Sequence, residues 1–172
     1  MDDLVTARLV LHPMTVDDAL RVMAREPAAD ARWAPGYPDA GDVTGANRFV
    51  STCAAVGDPQ PFGAYEIRRR EDGCAIGGVN FHGPVDEDGA VTIGYGLVPA
   101  AQGRGYASEA LREVLRFAKA SGVARVDGDT EHHNVASQRV MAAAGMLLVA
   151  EDERLKHYRI TWYDDDTRPW ST

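Results

Sequence analysis

Only two cysteines occur in 172 residues, Cys53 and Cys74, with no CxxC pair and no histidine near them at zinc-finger spacing. A disulfide framework and a structural metal are therefore not expected, and a reducing compartment is the simplest setting. Long apolar runs are also lacking. No stretch approaches the ~20 residues that a bilayer span needs, and Met1-Asp2-Asp3-Leu4 has neither the basic nor the apolar region of a secretory leader, so a cytoplasmic protein without a membrane partner is expected. Basic clusters are scarce: the formal charge is −8 and nothing longer than Arg68-Arg69-Arg70 gathers cations. That excludes broad nucleic-acid binding by phosphate neutralisation. Internal repeats and linker-like stretches are missing as well. A chain of this length removes roughly 70% of its unfolded surface from water, so residues 1–172 are expected to form one domain around one core.

What is present reads as a single α/β unit. Ala7–His12 alternates around Leu9 and Leu11 as a first strand, and Thr15 with Asp18 forms a capping box for a helix running to about Arg25. Glu26–Thr44 is rich in Pro, Gly, Ala and Asp and is expected to be a long loop carrying Trp33 and Tyr37, as pocket lining or as anchors to the core. Asn47, Val50, Cys53 and Ala54 mark a second helix ending near Gly57. Phe62–Arg69, Cys74–His82 and Val91–Val98 are separated by Asp72-Gly73 and Asp88-Gly89, which predicts an antiparallel meander. Ala107, Ala110, Leu111, Val114, Leu115 and Ala118 share one face of a third helix, and Val123–Asp129 should return parallel to the strand before it. Asn134 and Gly145 bracket a fourth helix with Ala136, Val140, Ala143 and Ala144 inward. Met146–Glu151 and Lys156–Tyr163 form a closing pair, before an acidic Asp164-Asp165-Asp166 tail expected to fray.

The chemistry concentrates at Gln102-Gly103-Arg104-Gly105-Tyr106-Ala107, between a strand and an amphipathic helix. Two glycines there leave backbone N–H groups uncovered at the positive end of the helix dipole, an arrangement suited to phosphate. A glycine turn that merely packs helix on sheet is the alternative. Ser108 and Asp127 imitate a dinucleotide fingerprint, yet Pro99-Ala100-Ala101-Gln102 separates strand from glycine, and no Gly-Lys-Ser/Thr of a Walker loop is present.

Gln102-Gly103-Arg104-Gly105-Tyr106-Ala107 resembles the Gln/Arg-x-x-Gly-x-Gly/Ala signature of the GNAT superfamily of acyl-CoA N-acyltransferases. Ile93-Gly94-Tyr95, Asn134-x-x-Ser137-x-x-Val140-Met141, Ala144-Gly145-Met146 and the opening Thr6–Leu11 are similar to its RimJ/RimL-like branch, so the resemblance covers nearly the whole chain. It implies a mixed, mostly antiparallel sheet of about seven strands, splayed at its centre with helices on both faces. It also implies acetyl-CoA as co-substrate, an amine-bearing acceptor as partner and, since relatives often dimerise, a homodimer as one assembly.

Position by position, the resemblance implies that the amides of Gly103, Arg104, Gly105, Tyr106 and Ala107 cradle the pyrophosphate, with Gln102 leading into the loop. Small residues suit this because a Cβ would hold the phosphates away. The Arg104 side chain either adds a contact or stays solvated. Leu97 and Val98 occupy the place where a backbone N–H polarises the thioester carbonyl, and Asn134 reaches the pantetheine, caps its helix, or does both. Many relatives carry an acid tyrosine seven residues after the asparagine; Met141 stands there, and the branch offers Ser137 instead, which could equally be a cap neighbour. The usual glutamate base is replaced by Thr92. Glu66, His82, Glu131, His132, His133 or a water relay remain for that role. The implied activity is acetyl transfer to a primary amine by direct attack, the alternative a catalytically silent acyl-CoA-binding module. The acceptor is not legible.

Overall fold

The structure, a computed structural model, describes residues 2–162; Tyr163 and the Asp164–Asp166 tail lie outside them. Eight strands form one sheet: β1 (Leu4–Val5), β2 (Leu9–Pro13), β3 (Ala64–Arg69), β4 (Ala75–Phe81), β5 (Ala90–Leu97), β6 (Arg125–Glu131), β7 (Leu147–Glu151) and β8 (Leu155–Thr161), in the order β1-β2-β3-β4-β5-β6-β8-β7. The helices are α1 (Val16–Ala24), α2 (Ala40–Val56), α3 (Tyr106–Ala120) and α4 (Val135–Ala143), with a 3-10 turn at Pro99–Ala101. The expected meander of β3, β4 and β5 is present, and every neighbouring pair is antiparallel except β5–β6. That parallel pair follows from the α3 crossover, which returns the chain to the same end of the sheet.

Besides shifts of one or two residues at strand ends, the structure departs from the sequence reading at the first strand, the long loop and the buried face of α4. The first strand begins at Leu9, and a short β1, too brief to show a period, pairs Leu4 with Leu11. The long loop ends sooner than Thr44: Asp39 and Asp42 form a capping box, so α2 starts at Ala40 within the Gly- and Ala-rich stretch. On α4, Ala136 and Ala143 are exposed, and the buried residue is Met141. Gly128 of β6 makes that possible, since a Cβ there would come within 3.2 Å of the Met141 methyl. Met141, seven residues after Asn134, is thus a core residue.

Strand alternation assigns the two faces. A Cβ on Gly78 or Gly45 would meet Asp42 and Asn80 respectively, which puts α2 over the even-numbered side chains of β4. α3 covers the odd-numbered side, where Phe62 packs edge-on against Phe81 and tilted against Phe117, and Leu111, Val114 and Ala118 are fully buried. Each buried Leu or Val contributes about 1.5–3 kcal/mol, so this stripe fixes α3 firmly to the sheet.

The central splay follows from the ladder. β5 pairs with β6 only from Ala90 to Ile93, while β4 accompanies β5 as far as Leu97. The last half of β5 therefore has one neighbour and a gap on its other side. Nothing among the described residues forms a helix long and apolar enough to cross a membrane.

Candidate active site

The glycine loop lies at the mouth of that gap. Gly103 and Gly105 have φ of +78° and +81°, the left-handed region that residues with a Cβ rarely adopt. Gly105 is the N-cap of α3 and offers no side-chain acceptor, so the first amides of the helix are uncovered. Gln102 donates its side-chain N–H to the Leu97 carbonyl at 3.0 Å, which ties the loop to the end of β5. From outside, Arg8 donates to the Arg104 carbonyl at 2.9 Å, pairs with Glu109 at 3.0 Å and lies 4.5 Å over the Tyr106 ring. Thr6 also donates to Glu109, at 2.7 Å. These contacts lower the Glu109 carboxyl below its usual range despite partial burial, and they hold the loop from behind. Sequence reasoning missed Arg8; the Thr6–Leu11 similarity held its position without indicating its role.

A cleft of about 370 Å³ runs from this loop between α3 and α4 to Tyr95, Gly96 and Leu97. Leu97, Gln102, Gly103, Gly105, Tyr106, Ala107, Asn134 and Ser137 line it, so eight of the ten residues expected from the sequence share one cavity; Val98 and Arg104 do not line it. Val98 departs from expectation: its N–H donates to the Ile76 carbonyl at 2.9 Å and is spent. Because antiparallel hydrogen-bonded pairs alternate, the Tyr95 and Leu97 amides turn away from β4 into the gap, where β6 no longer pairs. Of the two expected residues, Leu97 is the one with an available donor.

Asn134 caps α4 by accepting the Ser137 N–H at 3.1 Å, leaving its amide N–H₂ for other partners. The Ser137 hydroxyl lies 3.0 Å from the Tyr95 hydroxyl. Burial pushes the Tyr95 phenol above its ordinary value, so it keeps its proton at neutral pH. Tyr95 was visible in the sequence only as part of Ile93-Gly94-Tyr95 and was assigned no role. Arg139 also lines the cleft and was not anticipated.

A second cleft of about 370 Å³ lies on the opposite face, between the start of α2 and β4–β5, and shares Tyr95 and Gly96 with the first. His82, Asp39, Asp42 and Arg48 line it. Its floor is glycine: Gly78, Gly94 and Gly96 all belong to the even-numbered face, and a Cβ on Gly96 would meet nothing within 4 Å. At Gly96, main chain alone separates the two cavities.

The other base candidates are dispersed. Glu66 is buried and committed, accepting from the Tyr37 hydroxyl at 3.0 Å and from Arg68 at 2.6 Å. Glu131, the last residue of β6, and His132 and His133 after it are exposed, His133 paired with Glu131 at 3.0 Å and His132 against the Asp152 carbonyl at 2.7 Å. Only His82 reaches either cleft, where burial and then the Arg48 charge push its pKa down to about 4. Tyr37 and Trp33 pack edge to face at 5.4 Å, and Trp33 bridges to Ala75. They anchor the loop.

Residues 8–147 match the family model described as Acetyltransferase (GNAT) domain. The uncharacterized N-acetyltransferase YoaA of Bacillus subtilis (strain 168) is 27% identical over 143 residues, covering 83% of this chain and 81% of that protein. YjdG of the same organism, likewise an uncharacterized N-acetyltransferase, is 28% identical over 98 residues, 56% of this chain; the match spans 58% of that relative's length. Among solved structures, the ribosomal-protein-S5-alanine acetyltransferase from Vibrio fischeri superposes with TM-score 0.67 at 18% identity, covering 98% of this chain and all of that one. RimL, a ribosomal L7/L12 alpha-N-protein acetyltransferase solved with coenzyme A, gives 0.64 at 16% identity, covering 93% and 98%. At such identities the structures show a shared fold.

Proposed function

The chain belongs to the GNAT acetyltransferases, and from that premise we propose that it transfers the acetyl group of acetyl-CoA to a primary amine by direct attack in a ternary complex. The observation that carries this reading is the uncapped α3 terminus, with its two left-handed glycines, opening on a cleft that ends at the free amides of a splayed strand. The amides of Gly103 to Ala107 would hold the pyrophosphate, with Arg139 contributing positive charge. Asn134 would donate to the pantetheine arm through its free amide N–H₂. The bound thioester supplies the acyl group and a thiolate leaving group. The Leu97 N–H, pre-aimed and away from bulk water, would stabilise the oxyanion that develops as the amine attacks. Ser137, steadied by the protonated Tyr95 hydroxyl, would return a proton to the departing sulfur.

Two measurements test it. Acetyl-CoA at ~100 times its dissociation constant should stabilise the protein by about 2.7 kcal/mol, which is roughly 5–10 °C in melting temperature for a domain of this size. Free thiol should then appear when primary amines are added: an alanine-initiated peptide, a polyamine or phenethylamine. No thermal shift overturns the cofactor site, and a shift without any thiol release favours a silent acyl-CoA-binding module. Ser137→Ala should lower kcat roughly tenfold, short of the usual 10²–10⁴ for a lost acid because Tyr95 remains beside it. Its acetyl-CoA shift should be unchanged. Unaltered turnover would leave Ser137 as a neighbour of the cap.

A further inference from the structure

The α2 cleft contains a carboxylate that no sequence motif indicated. We propose that Asp42 is the base of the reaction: lodged between α2 and the glycine floor of β4–β5, it takes the proton from a primary ammonium group and frees the nitrogen for attack beside Tyr95–Leu97. The inference rests on the acetyl-transfer reading given above.

Position is the first argument. Asp42 Oδ2 accepts the Asp39 N–H at 2.9 Å as half of the capping box, so the carboxylate is anchored to the helix start. Its other oxygen, Oδ1, accepts no hydrogen bond among the described residues and lies 3.3 Å from where a Cβ on Gly78 would stand. Gly78 is paired with Gly96 across the ladder, and Gly96 is the point at which the two clefts meet. The free oxygen thus points at the bare stretch of main chain behind which the thioester carbonyl would lie. A side chain at Gly78, Gly94 or Gly96 would obstruct that approach; a Cβ on Gly94 would come within 2.9 Å of the His82 ring.

Charge is the second argument. Asp39 and Asp42 line the cleft, and Glu66 lies behind Tyr37 close enough to act on Asp42. Arg48 on α2 lines the same cleft, while Arg25 after α1 donates to the Pro38 carbonyl and Arg68 is engaged with Glu66. Neutral His82 and the protonated phenols of Tyr37 and Tyr95 complete the surroundings. The cleft lining itself carries two carboxylates, Asp39 and Asp42, against the single guanidinium of Arg48, an excess that favours a cation when Asp42 is ionised. Burial foremost, then the neighbouring Asp39 and Glu66 charges, push Asp42 up to about 7 against the opposing hydrogen bond from the Asp39 backbone. A base poised near the working pH is ionised often enough to accept a proton and strong enough to hold it. His82, pushed down to about 4, is a weaker acceptor.

The step balances. The ammonium gives one proton to Asp42; the nitrogen lone pair forms the C–N bond while the C–S pair leaves with sulfur. The nitrogen's second proton is matched by the one that the thiolate gains, and Asp42 releases its own to solvent. Products are an amide and a thiol.

Asp42→Asn tests this, since its side-chain oxygen can keep the cap. With whichever panel amine turns over, kcat/KM should fall about 100-fold near pH 7. The deficit should shrink as pH climbs toward the pKa of the amine, about 8 for an α-amino group and about 10 for an alkylamine, because the nitrogen then arrives neutral. A structural role would give the same deficit at every pH, and that result overturns the assignment. A readout without acetyl-CoA or amine is the carboxyl ¹³C titration of the free protein: a midpoint near 7, absent in the variant, is expected, and one near the ordinary 4 overturns it. The raised value means that the native state holds its proton where the unfolded chain has lost it, so stability falls as pH rises from about 4 to about 7. Asp42→Asn should therefore melt no lower than wild type at pH 8, which checks its folding. If it does not fold, the wild-type acid limb and the titration decide. Absence of wild-type turnover with acetyl-CoA bound overturns the transfer reading and this inference together, whereas turnover with a uniform deficit overturns Asp42 alone.

Discussion

Gly105→Val is expected to weaken acetyl-CoA binding by about 100-fold, from the loss of roughly 3 kcal/mol of amide–phosphate interaction. Room is not the first obstacle, for a Cβ at Gly105 would approach only the Arg8 guanidinium, at 3.3 Å. Conformation is. At φ +81° a β-branched residue is strained by about 1–2 kcal/mol. It relieves the strain by rotating the peptide units on either side, and these carry the Gly105 and Tyr106 amides. Each hydrogen bond to a charged group is worth about 1.5–3 kcal/mol, so misdirecting two of them gives the stated loss. The free protein should melt only roughly 2–8 °C lower, since the change lies at a surface loop held by Arg8. Calorimetric titration with acetyl-CoA checks it. Wild-type affinity in a folded Gly105→Val protein would show that the main-chain cradle is not the anchor.

The glycine-loop side of the proposed site was legible in the sequence because that side is local. Gln102 to Ala107, Asn134 and Ser137 lie in two short segments whose residue types announce their backbone geometry: glycines with positive φ, an asparagine that caps. The meander and the parallel β5–β6 pair were equally plain, because Asp-Gly turns and an intervening amphipathic helix dictate them. What stayed hidden depends on distance in the chain. Arg8 braces a loop 96 residues away, and Asp42 meets Gly78 only because α2 folds over the face opposite α3. Asp42 was concealed further by the capping box, which begins a helix inside a stretch too rich in Gly and Ala to show a period. Val98 was misjudged for a subtler reason: one residue of ladder phase decides whether an amide faces β4 or the gap. A resemblance that places a strand does not set that phase.

Gly77→Ala should be the most damaging single methyl group in the molecule. A Cβ there would stand 2.1 Å from the Gly96 carbonyl oxygen and 3.0 Å from the Leu97 Cα, both main-chain atoms that cannot swing aside. β5 would have to move bodily away from β4, at a cost near or above the ~3 kcal/mol upper range for overpacking, or roughly 6–12 °C in melting temperature. The displaced atoms belong to the Gly96–Leu97 segment that separates the clefts. Where folded protein persists at low temperature, kcat should therefore fall about 100-fold, the scale expected for a misplacement near 1 Å. Gly96→Ala is the matched control, one position across the register. Its Cβ enters open space, so the variant should melt within about 2 °C of wild type, as surface changes do. It should nonetheless hinder amines approaching from the α2 side, raising KM for the amine without weakening acetyl-CoA. Similar melting of Gly77→Ala and Gly96→Ala would mean that β5 is free to shift and that the close approach of these strands is not what sets the attack geometry. A large gap between them, with the kinetic defect of Gly96→Ala confined to the amine, ties the two glycines to separate duties, one of packing and one of passage.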